Sequence, residues 1–527
     1  MSLHTDYEGS LKERDSYRLR AEAGAAVTIP TAFPPDGWDD TEDLPVPWQS
    51  VGADGLASLA SKLKQVLFPA NVPFFRLSLT QQEIERVVND LEEAAQGDGN
   101  VFQQAFENFR QDADSVLALY ETEAMKLMES RGDGPKQYDV FLQLLVAGNV
   151  LIKDTRLSRE FSVHRLDSYV VTRDDTGRAL KVILKETLSR QSIEELPNMK
   201  KEAKETLKEF FGRQENKETK ELTVYTGAKL KDGKYEVTQE IVGMDKSEPM
   251  ELSKATFETY DLPLRALRLY DSGGENYSRS YVEQYLGDLR TLDGIYKAIT
   301  EGTAAATRFI WLVSPNSQTD PEDFNKAMNG DAITGNPGDI TPLTSEGKIR
   351  DLASAYQLAD RIEARIGKAF LLHSSVQRDA ERVTATEVAR LIQELETQLG
   401  GIYSILSQEF QRPYVWFLLK ALKALPTLDL STVESAIITG QDALGRTDEL
   451  QRIDQFLARM GSLPDGAMYL RTGELLQRIG KSLAIPELRT LLKTTEEVQQ
   501  EMQAAQQAQM QAQMAMQQAQ QGPEQAV

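Results

Sequence analysis

Residues 373–386 form a polar stretch of mixed charge, and strongly periodic apolar segments flank it on both sides. After it, Val388, Leu391, Ile392, Leu395, Leu399, Ile402, Leu406 and Phe410 recur at three- and four-residue steps, in a run that ends at Arg412-Pro413. Before it, Leu352, Tyr356, Ala359, Ile362, Ile366 and Phe370 do the same. Such steps put apolar side chains on one face of a helix. Thr384 and Glu387 have the Ser/Thr-x-x-Glu spacing in which each side chain satisfies a free amide at a helix start. The pattern predicts two helices separated by a polar loop with no catalytic constellation, a part that moves or makes contacts.

The rest of the chain reads as mainly α with a smaller β part, an α+β class. Residues 12–23 look helical, and 28–48 are rich in turns, with Pro30, Pro34, Pro35, Pro45 and Pro47. Leu56, Leu59, Ala60, Leu63 and Leu67 predict a helix over 53–67 that stops before Pro69. Residues 81–129 read as two helices broken at Gly97-Asp98-Gly99. Residues 138–151 are apolar enough to be a buried helix or a strand, and periodicity does not decide. Alternation predicts a hairpin over 169–185, turning at Asp174–Gly177, and another over 222–242, turning at Lys231-Asp232-Gly233. The charged stretch 200–220 between them reads as a solvated helix or an insertion.

From Tyr281 the stripe Val282, Tyr285, Leu286, Leu289, Leu292, Tyr296, Ile299 predicts a long helix reaching Arg308. Residues 311–350 are rich in Pro, Gly, Asn and Asp, with few large apolar side chains. A segment of that size must borrow a core from the rest of the chain or from neighbouring subunits. Gly400-Gly401 marks a kink in the long helix after the polar loop. Residues 501–521 are almost entirely Gln, Ala and Met, a low-complexity composition that builds no large-side-chain core.

Composition narrows function. At 527 residues the chain has room for several domains. Its 59 basic and 81 acidic side chains give a net charge of −22. An acidic protein does not coat nucleic acid by counterion release, although it can surround a duplex without holding it. There is no cysteine, so disulfides and thiolate chemistry are excluded. No apolar run approaches the length of a membrane span; Tyr414–Leu425 comes nearest, and Lys420 and Lys423 interrupt it. The N-terminus does not resemble a signal peptide, so use without classical export is expected.

Motifs for catalysis are weak. Gly440-Gln-Asp-Ala-Leu-Gly445-Arg446-Thr447 nearly matches a phosphate-binding loop but has Arg446 where the motif needs lysine. The plain alternative is a glycine turn followed by a Thr447 helix cap. His4, His164 and His373 stand alone, without metal-ligand spacing. Arg361, Arg365 and Lys368 share a helix face. They either pair within the helix with Asp360 and Glu363 or form a basic stripe facing a polyanion. No cofactor and no metal is expected. Two competing readings remain: a helical scaffold or adaptor with a Gln-rich assembly tail, and a nucleotide hydrolase using Gly440–Thr447.

Several colinear runs resemble the portal, or head-to-tail connector, proteins of short-tailed, autographivirus-type podophages. They are Thr28-Ile-Pro-Thr-Ala-Phe-Pro34, Pro47-Trp-Gln-Ser-Val-Gly52 with Leu59-Ala-Ser-Lys62, and Val146-Ala-Gly-Asn149. Further on come Ser168-Tyr-Val-Val171, Arg279-Ser-Tyr281 with Tyr285-Leu-Gly-Asp-Leu-Arg290, and Ser375-Val-Gln-Arg378. Glu381-Arg-Val-Thr-Ala385 and Gly400-Gly-Ile-Tyr-Ser-Ile-Leu-Ser-Gln408 complete the set. The resemblance thins over 186–260 and after about residue 450.

The resemblance implies a dodecameric ring at a capsid vertex, through which a separate terminase motor pumps double-stranded DNA and from which the DNA later leaves. It implies a wing over 1–280, a first stem helix over 281–310, a clip over 311–350 and a second stem helix over 351–372. A tunnel loop over 373–386, a wing helix over 387–440, a crown over 441–495 and the tail 496–527 follow. The tunnel loop then offers His373, Gln377, Arg378 and Arg382 to the channel, and the stem offers Arg361, Arg365 and Lys368. In the clip, Trp311, Phe324, Asn325, Asn329, Ile333 and Asn336 are candidates for contact with a tail adaptor. Further implied partners are capsid, scaffolding and internal core proteins, with no membrane. The implied setting is the virion, assembled in the host cytoplasm. Acidic walls suit a conduit, because repulsion acting within roughly 10 Å keeps a duplex from being trapped.

Overall fold

The computed structural model describes residues 2–372 apart from residue 40 and short stretches at 70–73, 78–80, 96–98, 156–159, 197–198, 213–220, 245–248, 271–272, 307–310, 318–319, 337 and 343–345. It also describes 401–422, 437–439 and isolated positions between 393 and 479. The described chain is mostly helical with smaller antiparallel sheets. It divides into two compact units. One comprises Met1–Phe68, Met128–Glu381 and Glu394–Pro413; the other comprises Pro69–Leu127, Arg382–Gln393 and Tyr414–Val527.

In chain order, α1 spans Leu3–Ala26 and α2 Val51–Leu67. The strand β1 (Phe75–Leu77) precedes α3 (Gln81–Ala95) and α4 (Gly99–Arg131). The helix α5 (Gly134–Ala147) runs into β2 (Asn149–Thr155), followed by β3 (Glu160–His164), β4 (Tyr169–Arg173) and β5 (Ala179–Ser189). Two helices, α6 (Arg190–Glu194) and α7 (Lys201–Gly212), precede β6 (Glu221–Lys231), β7 (Lys234–Val242), β8 (Met250–Phe257) and β9 (Leu264–Arg268). Then come α8 (Tyr281–Ala306), β10 (Trp311–Val313), α9 (Pro321–Lys326), β11 (Ile340–Pro342) and α10 (Glu346–Ala369). The last described elements are α11 (Ile402–Leu406), a π turn over Ser407–Gln411, α12 (Arg412–Ala421) and β12 (Ile437–Thr439).

In the first unit, β4 to β8 form a five-stranded antiparallel meander in sequence order. The β6–β7 turn needs left-handed backbone at two successive residues, and Asp232 (φ 52°) and Gly233 (φ 81°) supply it. Leu3 and Tyr7 of α1 pack on Val170, Ile183 and Tyr225 of this sheet. That burial extends α1 beyond the 12–23 expected from periodicity, and Ser2 caps it by accepting from the Thr5 amide at 3.3 Å. The described part of the charged stretch, α7, is less solvated than its charge suggested. Along α7, Ala203, Leu207, Phe210 and Phe211 are buried against Leu222, Val224, Ile241 and Leu252.

The ambiguous run 138–151 is both a helix and a strand. Gly148, at φ 72°, ends α5 with its amide bonded to the Leu144 carbonyl, and β2 starts at the next residue. The strand β2 is central in a three-stranded sheet ordered β3-β2-β9.

The expected break at Gly400-Gly401 has a physical basis in Gly401, which sits at φ 90° before α11. The expected end at Arg412-Pro413 does not hold. The helix passes through the proline as α12, directly after the π turn over Ser407–Gln411. Widening the hydrogen-bond ladder there accommodates a residue that has no amide proton to donate. In the second unit, β1 pairs antiparallel with β12, and Glu121 of α4 accepts the Leu77 amide at 2.8 Å.

Candidate functional site: a helix pair, its root and an exposed insert

The helices α8 and α10 pack along their length, with Leu289, Leu292, Ile299, Ala359, Ile362 and Ile366 buried. Each contributes one apolar stripe, and the two stripes face each other. At one edge of the seam Arg365 pairs with Asp288 of α8. At the other edge the Tyr296 hydroxyl donates to Glu363 at 2.8 Å. Burial and that carboxylate acceptor push the Tyr296 phenol up to about 12.

The root of the pair is a cluster built from distant segments. Tyr281 donates its hydroxyl proton to the Ala369 carbonyl at 2.7 Å, and its ring lies 5.4 Å from that of Phe370. The Phe370 side chain fills the space beside Gly55 of α2, where a Cβ would meet it at 2.8 Å. The next residue, Leu371, takes a left-handed φ of 57°. A branched side chain pays about 1–2 kcal/mol for that conformation. The buried Lys62 ammonium donates to the Leu371 carbonyl and holds the turn. This turn lies two residues before the polar stretch that opens at His373.

Several of the sequence runs that carry the resemblance are tied together by hydrogen bonds in the same unit. Asn149 donates to the Ala147 and Ser278 carbonyls at 3.0 and 2.8 Å and accepts the Ser278 amide at 2.9 Å. Val146-Ala-Gly-Asn149 is thereby tied to the segment entering Arg279-Ser-Tyr281. The Val171 amide donates to the Tyr277 hydroxyl at 3.0 Å. Gln49 donates to the Val27 carbonyl at 2.6 Å and accepts the Gly52 amide at 2.8 Å. Thr28 donates its hydroxyl proton to the Gly24 carbonyl at 2.8 Å.

Between α8 and α10 lies the insert expected to lack a core. Its β10 and β11 form a two-stranded ribbon, with Leu312 opposite Thr341. Asp320 caps α9 by accepting the Glu322 amide at 2.8 Å, with Pro321 at the first helical position. No described side chain from Leu312 to Thr341 is buried.

The expected site residues fall as follows. Trp311 lies on β10, Phe324 is half-buried on α9, and Asn325, Asn329, Asn336 and Ile333 are exposed. Met328, at 80 % exposure, is a more open apolar side chain than Phe324 or Ile333, and composition alone gave it no prominence. Arg361, Arg365 and Lys368 are all exposed along α10. The intrahelical partners suggested for them are not the ones used: Arg365 pairs across to Asp288, and Glu363 accepts from Tyr296. His373, Gln377, Arg378 and Arg382 lie outside the described residues, as do Gly440–Thr447, most of the crown and the Gln/Met/Ala tail. Lys62 was legible only as the last letter of a matched run, because its partner is 309 residues away.

Over residues 2–491 the chain matches the family of bacteriophage head to tail connecting proteins, and it belongs to that family. Among its relatives are portal proteins of short-tailed phages. It is 35 % identical over 466 residues to the portal protein of Escherichia phage T7, covering 87 % of this chain and 81 % of the relative. It is 33 % identical over 503 residues to the portal protein of Enterobacteria phage T3, covering 94 % and 88 %. A chain from the virion of a native gene transfer agent particle aligns over 82 % of this chain and 89 % of its own length. Its TM-score is 0.35 and its identity 14 %, too loose for the argument to rest on.

Proposed function

We propose that this chain is a portal protein. Twelve copies close into a ring at one capsid vertex, double-stranded DNA is packaged and ejected through the ring, and the ring joins head to tail. The observation that carries the reading is identity of 35 % and 33 % to two phage portal proteins across most of both chains. The packed pair α8–α10, interrupted by an insert with no buried side chain among its described residues, supports it. A helix pair that ends in a coreless insert has no use for that insert as a monomer. In a ring, the insert gains its core from neighbours and offers a docking end to a tail adaptor.

In this reading the wing, stem, clip and crown take the boundaries given above, and residues 373–386 line the channel as the tunnel loop. The partners are a terminase motor, the tail adaptor, capsid and scaffolding proteins, and internal core proteins. The protein works within the virion after assembly in the host cytoplasm. Its role is structural, and the net charge of −22 suits a wall that the duplex slides past. Electron microscopy of the purified chain in negative stain tests this directly. Rings with a central hole wide enough for a duplex are expected. Monomers, filled discs or open filaments at micromolar concentration overturn the reading.

A further inference from the structure

The outward face of α8 runs against the composition of the chain. Leu289, Leu292 and Ile299 bury the opposite side of the helix. From Tyr285 to Ala298 the exposed residues are Gly287, Arg290, Thr291, Gly294, Lys297 and Ala298. Four are small and neutral, and the two charged ones are both cations. Arg290 and Lys297 are seven residues apart, so they stand about 10.5 Å apart along the axis. Neither has a hydrogen-bond or ion-pair partner among the described residues. The face is open, with nothing within 4 Å of a Cβ built on Gly287 or Gly294.

The carboxylates of the same stretch are half-buried and engaged elsewhere. Glu283 lies 3.8 Å from Arg20 and 3.9 Å from Arg279. Asp288 pairs with Arg365. Asp293 stands one turn from each of the two cations, yet its carboxylate accepts the Trp48 amide at 2.6 Å. The first exposed carboxylate is Glu301, one turn beyond Lys297. So about four turns of α8 show two free cations and no exposed carboxylate, in a chain with 81 acidic side chains. The outward side of α10 differs. It exposes Asp360 beside Arg361, and it leaves Tyr356 and Leu358 47 % and 49 % exposed. Open apolar side chains mark a surface that other protein covers. No large apolar side chain is exposed on α8.

We propose that the outward face of α8 is the stem surface past which the duplex travels, with Arg290 and Lys297 as its phosphate contacts. The proposal rests on the portal reading and names the helix that borders the channel. The phosphate backbone is matched by lysine and arginine that no carboxylate competes for. A protein partner would need apolar surface to bury, which this face does not offer. Each exposed cation–phosphate contact is worth roughly 0–1 kcal/mol, so two per copy attract the duplex without holding it. Gly287, Thr291, Gly294 and Ala298 put no long side chain between the two contacts to obstruct sliding. The α10 face, with Tyr356 and Leu358 exposed, then turns toward protein, and Arg361 and Lys368 turn with it.

The chain has no cysteine, so single thiols can be placed in the full-length protein without background. Thr291→Cys and Ala298→Cys put one on the outward face of α8, and Ala364→Cys puts one on that of α10. All three parent residues are small and exposed. Each variant is coupled to an azidophenacyl photo-crosslinker, assembled into DNA-filled capsids and illuminated. The two α8 variants are expected to give protein–DNA adducts, and the α10 variant protein–protein adducts alone. DNA adducts from Ala364→Cys and none from either α8 position overturn the proposal, as do protein adducts alone from all three. A second measurement reads the cations themselves. Arg290→Gln with Lys297→Gln is expected to form rings like the parent and to lose packaged DNA faster as salt is raised, whereas Arg361→Gln with Lys368→Gln is expected to match the parent. Unchanged retention in the first variant removes Arg290 and Lys297 as phosphate contacts. A parent chain that forms no rings overturns the portal reading and this proposal with it, whereas rings with DNA adducts only on α10 overturn the proposal alone.

Discussion

Gly148 has a φ of 72°, and a Cβ placed on it would stand 2.6 Å from the carbonyl group of Arg279. Both constraints are backbone, so neither neighbour relaxes cheaply. The left-handed conformation alone costs a non-glycine residue about 1–2 kcal/mol. Gly148→Ala is therefore expected to lower stability by more than about 2 kcal/mol. Gly274→Ala, at φ 80° with nothing within 4 Å, carries only the conformational part and serves as the reference. Urea unfolding of the two variants checks this, and equal losses would show that the contact with Arg279 is irrelevant. Leu371 is the converse case, a branched residue in the conformation that glycine favours, retained where the chain turns from α10 toward His373. The Lys62 bond to its carbonyl opposes the strain, and no sequence pattern signals it.

Elements with strong periodicity were legible in the sequence: α2, the α3–α4 break, both hairpins, and the pair α8–α10. What stayed hidden had identifiable causes. In α7 the charges of Lys201, Glu202, Lys204, Glu205, Lys208 and Glu209 mask a narrow stripe of Leu207, Phe210 and Phe211. In 138–151 an unbroken apolar run fits a helix or a strand equally, and Gly148 divides it. Strands of three residues, β1, β10, β11 and β12, are too short for alternation to register. At the candidate site the basic stripe was legible, whereas its actual partner Asp288 was not, because that pair depends on how two helices meet.

His164 at the end of β3 illustrates a partnership between elements of the same kind. It shares a hydrogen bond of 2.9 Å with Ser162 and lies 3.7 Å from Glu186 of β5. Glu186 in turn pairs with Lys153 of β2 at 2.6 Å. Burial holds the imidazole below its ordinary value, and Lys153 adds to that, while Glu186 and Asp167 act in the opposite direction. A lowered value means that the fold favours the neutral ring. Its contribution is fully present above the unfolded value of 6.5 and is lost as pH falls through the lower folded value. Denaturant midpoints measured from about pH 7 down to about pH 5 are expected to decline more for the parent than for His164→Gln. Parallel declines would place the acid sensitivity elsewhere.

At the scale of the whole molecule, the portal reading makes the chain the wall of an acidic conduit, and guidance of the duplex then falls to a few cations. Arg378 and Arg382 are offset by Asp379 and Glu381 in sequence, so the stretch 373–386 has no net charge with His373 neutral. A loop of that balance does not clamp a duplex by charge. In the portal reading it narrows the channel and touches successive phosphates, each exposed arginine contact giving way to an equivalent one as the DNA advances. Single exposed contacts of this kind are worth roughly 0–1 kcal/mol, so the barrier to sliding stays low. Replacing Arg378 and Arg382 together with Ala is expected to leave ring assembly intact and to change the length or retention of packaged DNA. Restriction analysis of capsid DNA, with ejection assays on the same particles, reads both quantities. Unchanged length, retention and ejection would assign these arginines to pairing with Asp379 and Glu381 and remove them from DNA guidance.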